Sequence, residues 1–412
     1  MRWVLLISLL SLIEFYAFQA VKTVIKSKSF HWGYLLVSVV LLCYVLFVFY
    51  SYDRSIGPTK STLRAGGMLL VVLVPKLVII VFLLGEDIIR GVVAAGTYLM
   101  NFFAEKKSVD YLPGRRKFVS QIALGIAAIP LIGFLHGIFK GKYNFKVLKY
   151  TLYFDDLPDA FHGFRVAQIS DIHSGSFDDE KKIAYAVELI NEQEMDVLFF
   201  TGDIVNTMAK EMDPWISVFK NIKIPAYGKY SILGNHDYGE YVSWETKEAK
   251  AANFEAIKNI HDQIDFKLLL NESVFLEKGE DKIAVIGVEN WGHNFKQAGD
   301  LKKASEKVNA DDFKILLSHD PSHWEHEVKK HQEHYHLTLS GHTHGFQFGI
   351  EIPGFMKWSP VQYVYKQWAG MYQEYGRYLN VNRGFGFHAF PGRVGIWPEI
   401  SIIELRKKGE TS

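Results

Sequence analysis

Two stretches of this chain, Trp32 to Tyr52 and Phe118 to Phe139, carry no charged side chain. A helix of about 20 apolar residues crosses the hydrocarbon core of a bilayer, and each run is long enough to do so. Two further runs are nearly as clean. Val4 to Val21 is interrupted by Glu14 and Gln19, and Gly66 to Gly85 by Pro75 and Lys76. Residues 1–140 therefore read as a membrane domain of about four transmembrane helices. More spans follow the first run, and that run contains Glu14, which argues against a cleaved signal peptide. Glu14 and Lys76 are costly against lipid, so they are expected to face other helices, water or an interface.

Charge divides the chain in the same place. The 412 residues include 46 Lys plus Arg and 45 Asp plus Glu, a net of +1. That balance excludes a nucleic-acid binder working by bulk positive charge. Residues 1–140 hold 15 basic and 6 acidic side chains, whereas residues 141–412 hold 31 and 39, with 14 of the 16 histidines. Two regions in different solvents follow. Beyond the membrane domain the sequence divides into a linker with a leading strand (141–162), a large folded domain (163–406) and a polar tail (407–412). The single cysteine, Cys43, excludes an intramolecular disulfide and a cysteine-based zinc module.

Four spans put both ends of the membrane domain on one side. Lys and Arg are nearly balanced between the two sets of loops, so bulk loop charge does not orient it. Arg115-Arg116-Lys117 stands directly before the last apolar run. It reads as a cytoplasmic anchor, and it also resembles a twin-arginine export address. Both readings place the chain after Phe139 outside the cytoplasm, although the lysines from Lys140 onward pull the other way. The expectation is a multi-pass protein of the cell membrane with an extracytoplasmic second domain.

In that second domain strands and helices alternate. Phe164–Ser170, Val197–Thr201, Tyr227–Leu233, Phe313–Ser318 and His336–Ser340 read as short buried strands, and Lys181–Asn191 and Thr246–Ile260 as helices. Each of those strands ends in a polar block. The blocks are Asp171-Ile172-His173, Gly202-Asp203, Gly234-Asn235-His236-Asp237, His319, and Gly341-His342-Thr343-His344. Ligand sites in open α/β sheets lie beyond the carboxyl ends of the strands, so the five loops are expected to converge. They bring carboxylates, an amide oxygen and imidazoles. Mixed oxygen and nitrogen ligation of this kind suits Mn, Fe, Zn or Ni and is less natural for Ca.

All five blocks in this order resemble the calcineurin-like metallophosphoesterase superfamily. The stretches LPDAFHGFRVAQISDIHSG, GHTHGFQF and NRGFGFHAFPGRVGIWPEI resemble its membrane-linked bacterial members. The resemblance spans roughly Gly163 to Leu405. It implies a four-layer α/β/β/α sandwich and hydrolysis of a phosphomonoester, phosphodiester or pyrophosphate bond by a hydroxide held on two divalent metal ions. By the same resemblance Asp171, His173 and His344 would bind the first ion and Asn235, His319 and His342 the second, with Asp203 bridging. His236 would be the general acid or a stabiliser of the transition state, and Asp237 would orient it. Phe346 stands where many members have glycine, and is expected to narrow the mouth of the site.

The bilayer suggests a lipid or envelope substrate. Arg383, His388 and Arg393 in the aromatic, glycine-rich tail are expected phosphate or headgroup contacts, since guanidinium pairs well with phosphate oxygens. The dense aromatics from Phe346 to Trp397 suit either a lipid-facing rim or a packed subdomain. His323, His326, His331 and His334 mimic ligand spacing but fall on a stretch expected to be exposed. The rival reading is a non-catalytic membrane sensor or transporter that uses the phosphoesterase fold only to bind.

Overall fold

A computed structural model describes residues 2–103, 114–352 and 354–409. The chain forms two compact units. One comprises Met1–Ser51 and Arg64–His136, the other Tyr52–Leu63 and Gly137–Ser412.

In the first unit the apolar runs are helices α1 (Arg2–Val24), α2 (Lys28–Tyr50), α3 (Lys60–Phe103) and α4 (Arg115–Phe139). All four are long and apolar enough to cross a membrane. Helix α3 differs from expectation. Its 44 residues run through Pro75 and well past Gly85, for a length of about 66 Å. Residues 86–103, beyond the expected run Gly66 to Gly85, are therefore helix. The reason is charge pairing with α4. Glu86 and Asp87, which seemed to end the apolar run, accept from Arg116 Nη1 at 2.6 and 2.9 Å. The apolar residues beyond them can then continue the helix. At mid-span the Lys76 ammonium pairs with Glu14 and donates to Ser38 Oγ at 3.0 Å. Around these groups Ala17, Ala20, Ala123 and Ala127 pack with Ile79 and Leu83, small side chains that allow close helix approach.

The second unit contains β1 (Lys146–Phe154), β2 (Phe164–Ile169), α5 (Glu180–Asn191), β3 (Val197–Phe200), α6 (Ile216–Phe219), β4 (Lys229–Ser231), α7 (Lys247–Gln263), β5 (Lys267–Leu268), β6 (Glu272–Lys278), β7 (Asp281–Gly287), α8 (Leu301–Ala304), β8 (Phe313–Leu317), α9 (Pro321–His326), β9 (Leu337–Ser340), β10 (Ile350–Ile352), β11 (Met356–Trp358), β12 (Gly370–Glu374), β13 (Arg377–Val381) and β14 (Glu399–Lys407). One six-stranded sheet has the order β1-β14-β2-β3-β4-β5 and the other β12-β13-β9-β8-β7-β6; β10 and β11 pair only with each other.

Strand alternation builds the layers. Val197 and Phe199 of β3 enter a core with Val166, Ile283, Ile315 and Leu337, which lies between the sheets. Leu198 and Phe200 point the other way, to Ile183, Phe219 and Ile257 on α5, α6 and α7. On the far sheet Ile286, Leu316 and Val381 pack against Leu301 of α8 and Trp324 of α9. The result is helices, sheet, sheet, helices. Within residues 141–162, read as a linker with a leading strand, β1 pairs with β14 in register from Lys146↔Glu399 to Phe154↔Lys407. The aromatic tail divides. Part of it forms β12 and β13 of the second sheet, and Val361, Trp368, Ala369 and Ile396 make a small core of their own.

Candidate metal centre

The parallel strands β2, β3, β4, β8 and β9 deliver their carboxyl ends to one place. Asp171 and His173 follow β2, Asp203 follows β3, Asn235 and His236 follow β4, His319 follows β8, and His342 and His344 follow β9. Three sets of side-chain atoms lie within 4.8 Å of one another: Asp171 with His173 and His344; Asp203 with His319 and His342; and His173 with Asp203 and His236.

The backbone is strained to achieve this. Asp171, His173, Asp203, His342 and His344 have φ of 53°, 48°, 60°, 71° and 49°. A left-handed backbone at a non-glycine residue costs about 1–2 kcal/mol, and such strain clusters where function over-determines the structure. Gly202 beside Asp203 has φ of 96°, and a Cβ there would stand 2.6 Å from Gly234 N and 2.9 Å from His319 Nδ1. Only glycine lets these loops approach so closely.

Hydrogen bonds aim the side chains. His319 Nδ1 donates to the carbonyl of Thr201 at 2.6 Å. That holds Nδ1–H on the carbonyl and turns Nε2 toward the cluster. His319 Nε2 lies 3.1 Å from Asp203 Oδ2, yet it is buried without a hydrogen-bond partner, as is His173 Nδ1. Both oxygens of Asp171 accept from the His342 N–H at 3.0 Å. Asn235 Oδ1 faces His342 Nδ1 at 2.8 Å, while its amide nitrogen donates to Tyr241 Oη at 2.6 Å.

Charge is concentrated here among buried side chains. Burial alone would raise the Asp203 carboxyl, but His319, His236 and His173 hold it well below the carboxylate range. Burial would likewise raise Asp171, and His344 brings it down. Burial lowers His173, His236 and His342. His319 is the exception: burial would lower it, but the Asp203 carboxylate draws it up to about 10. Buried carboxylates among imidazoles, with ring nitrogens of His173 and His319 lacking hydrogen-bond partners, are a donor set that suits divalent transition-metal ions.

Other expected site residues lie elsewhere or act differently. Asp237 does not touch the His236 ring. Its carboxylate accepts from the N–H groups of Asp203 (2.9 Å), Ile204 (2.9 Å) and Gly234 (2.8 Å), so it shapes the loop that carries Asp203. His236 is oriented instead by the carbonyl of Asn206, 2.7 Å from Nδ1. Arg383 is buried between Glu399 and Glu351. Arg393 is fully buried, donating to the carbonyls of Gly386 and Arg383, with Nη2 3.2 Å from His344 Nδ1. The Arg383 guanidinium is thus spent on carboxylates, whereas Arg393 keeps Nη1 buried without a hydrogen-bond partner. His388 is near the centre, with its ring 4.8 Å from that of His173 and 4.5 Å from that of His236. Phe346 follows His344 by two residues and is half-exposed. His323, expected on an exposed stretch, is buried, with Nδ1 2.8 Å from Ser318 Oγ.

Three groups escaped the sequence reading. Tyr365 Oη lies 2.8 Å from His342 Nε2, Tyr241 stacks on His236 at 4.3 Å, and buried Asp320 has Oδ2 3.5 Å from His342 Nε2. Asp320 was within reach of sequence reasoning, as it follows a ligand candidate and caps α9. The tyrosines carry no local signal, because long-range packing brings them in.

Residues 1–142 match the family model described as "Probable Calcineurin-like phosphoesterase, transmembrane domain", and residues 164–346 match that described as "Calcineurin-like phosphoesterase". The chain belongs to the calcineurin-like phosphoesterases. Members of this family use divalent metals. The metallophosphoesterase YkuE of Bacillus subtilis, titled uncharacterized, is 28% identical over 71% of this chain and 97% of its own length. A zebrafish (Danio rerio) "Transmembrane protein with metallophosphoesterase domain" is 26% identical over 69% of this chain and 62% of that protein. Among solved structures, the NAD nucleotidase of Haemophilus influenzae is similar with a TM-score of 0.35 and 14% identity, covering 54% of this chain and 46% of that one. The chain thus spans under half of that nucleotidase. With the transmembrane match and the four apolar helices, this phosphoesterase is a membrane protein.

Proposed function

We propose that the chain is a membrane-anchored hydrolase of phosphate esters working with two divalent cations. Asp171, His173 and His344 hold one, Asn235, His319 and His342 the other, and Asp203 bridges them. The observation that carries this reading is the convergence of these seven side chains from five strand ends, with a left-handed backbone at five of them. When bound, such ions lower the pKa of water and neutralise charge on phosphoryl oxygens.

The chain's own residues supply the rest. Asn206 O holds His236 Nδ1–H, so Nε2 is the atom that gains or loses a proton toward the leaving group. Asp237 and Arg393 are positioning residues, the first for the Asp203 loop and the second for His344. His388 is the tail residue placed to meet substrate. The bond cleaved is a phosphomonoester, a phosphodiester or a pyrophosphate, in a lipid or envelope substrate that shares the membrane with the enzyme. The catalytic unit lies outside the cytoplasm. Arg116 is engaged by Glu86 and Asp87, which supports a plain cytoplasmic anchor over an export address, and the anchor reading gives the same orientation.

The test is hydrolysis of an aryl phosphodiester by the purified, Mn-loaded full chain. Asp203→Asn is expected to reduce kcat/KM by about 10³ or more, as lost electrostatic stabilisation of this kind does. Unchanged hydrolysis refutes the dimetal assignment. A reporter fused after Ser412 tests the orientation, and activity of a cytoplasmic reporter alone refutes it.

A further inference from the structure

The β10–β11 hairpin joins neither sheet. A two-stranded hairpin is marginal in water by itself, yet this one is dressed in apolar side chains pointing to solvent. Phe355 at its tip is 82% exposed, and Tyr363 and Val364 just beyond it are 78% and 64% exposed. Phe346, Ile350 and Ile352 are half-exposed as well. Exposed apolar side chains gathered on one short segment mark a protein or membrane contact. Its mixture of aromatic and aliphatic groups is that of elements that settle in the bilayer interface.

Two chains of contacts decide the occupant. The first leads to the membrane helix. The catalytic unit begins at Gly137, inside the last turn of α4. Gly137 O accepts from Arg393 N at 3.1 Å, and neighbouring Val394 O accepts from Gly349 N at 2.9 Å, at the root of the hairpin. A Cβ on Gly141 would stand 2.2 Å from Arg393 O, so this loop lies flat on the helix exit. The hairpin root is thus joined through two backbone hydrogen bonds to the last turn of α4, within the same unit. The second leads to the metal centre. Ser359 Oγ donates to Gly345 O at 2.8 Å, and exposed Val364 directly precedes Tyr365, whose hydroxyl is 2.8 Å from His342 Nε2.

We infer that Phe355, Tyr363, Val364 and their apolar neighbours form a lipid-facing foot that dips into the bilayer interface and sets the mouth of the metal centre against the membrane plane. The substrate that such a mouth takes is an amphiphile with its phosphoester at headgroup depth. This second statement rests on the phosphoesterase reading; the lipid contact does not.

The full chain in phosphatidylcholine–phosphatidylglycerol vesicles provides the test, on a Cys43→Ala background. An environment-sensitive fluorophore is placed at Phe355→Cys, at Tyr363→Cys, or at Tyr185→Cys on exposed helix α5 as control. Nitroxide-labelled acyl chains are expected to quench positions 355 and 363 at least about fivefold more than 185, with iodide giving the reverse order. Iodide quenching equal to that at 185 overturns the inference. Quenching by neither agent assigns the patch to a protein neighbour and also overturns it. A Phe355→Ser/Tyr363→Ser/Val364→Ser variant is expected to lose about tenfold in kcat/KM on a vesicle-embedded phosphoester, and nothing on a soluble aryl phosphodiester. Equal loss on both substrates, or none on either, refutes delivery from the membrane plane. A wild-type enzyme that hydrolyses neither substrate refutes the phosphoesterase reading and leaves the quenching result to stand alone.

Discussion

Two neighbouring residues of the site, His236 and Asp237, have different jobs and give different signatures. His236 Nδ1 is held by Asn206 O, and its backbone N–H donates to Asp203 Oδ1 at 2.8 Å. The ring can be removed without disturbing the seven proposed ligands. His236→Ala is expected to lower kcat by about 10²–10⁴, with metal content by elemental analysis unchanged. Asp237 instead gathers backbone donors of two loops. Asp237→Ala leaves three buried N–H groups unpaired and is expected to cost about 3 kcal/mol or more, read as a fall in the thermal midpoint together with loss of bound metal. The motif Gly234-Asn235-His236-Asp237 was legible in the sequence as a site. The division of labour within it was not, because the Asp237 carboxylate and the His236 ring turn to opposite sides of the loop.

At the level of single elements, strand ends and helix interiors each carry a cost that something else offsets. The left-handed loop after β3 depends on Gly202. Gly202→Ala places a Cβ against Gly234 N and the His319 ring, and is expected to destabilise the catalytic unit by about 2 kcal/mol or more and to weaken metal binding. Denaturation of the metal-free and metal-loaded protein separates the two effects. In the membrane unit the cost is the buried pair Glu14–Lys76. Removing one partner of a buried pair strands the other charge and costs about 3–5 kcal/mol, whereas apolar replacement of both is often neutral. Lys76→Met is therefore expected to lower the unfolding midpoint in detergent, and Glu14→Leu/Lys76→Met to restore most of it. The sequence showed that these two charges needed shelter from lipid. Their being each other's partner depends on how α1 and α3 pack, which hydropathy does not encode.

At the scale of the whole molecule, the catalytic unit folds around histidines it must keep neutral. His261 on α7 is fully buried beneath Phe200, with Nδ1 2.8 Å from Ser231 Oγ and Nε2 unpartnered. Burial pushes it down to about 3 from an ordinary 6.5. Its folded pKa lies below its unfolded one, so its contribution is whole above about pH 6.5 and is lost as pH falls. By pH 5 the loss is about 2 kcal/mol. His261→Leu is expected to flatten the fall in stability between pH 6.5 and 5, measured by denaturant unfolding of the full chain. Much of the plan of this molecule was written locally. Apolar runs of bilayer length, two of them free of charge, mark the membrane helices, and short apolar runs closed by Asp, Asn and His blocks mark the strands and the candidate site at their ends. These signals survive in one dimension because each depends only on neighbours along the chain. The tertiary structure alone decided the rest: that β1 completes the first sheet, that α3 runs on past Glu86 and Asp87, that Arg383 and Arg393 are buried, and that Tyr241, Tyr365 and Asp320 stand around the candidate ligands. Each of these depends on a partner far away in sequence, and the attraction of a charge or an aromatic ring for that partner leaves no periodic trace.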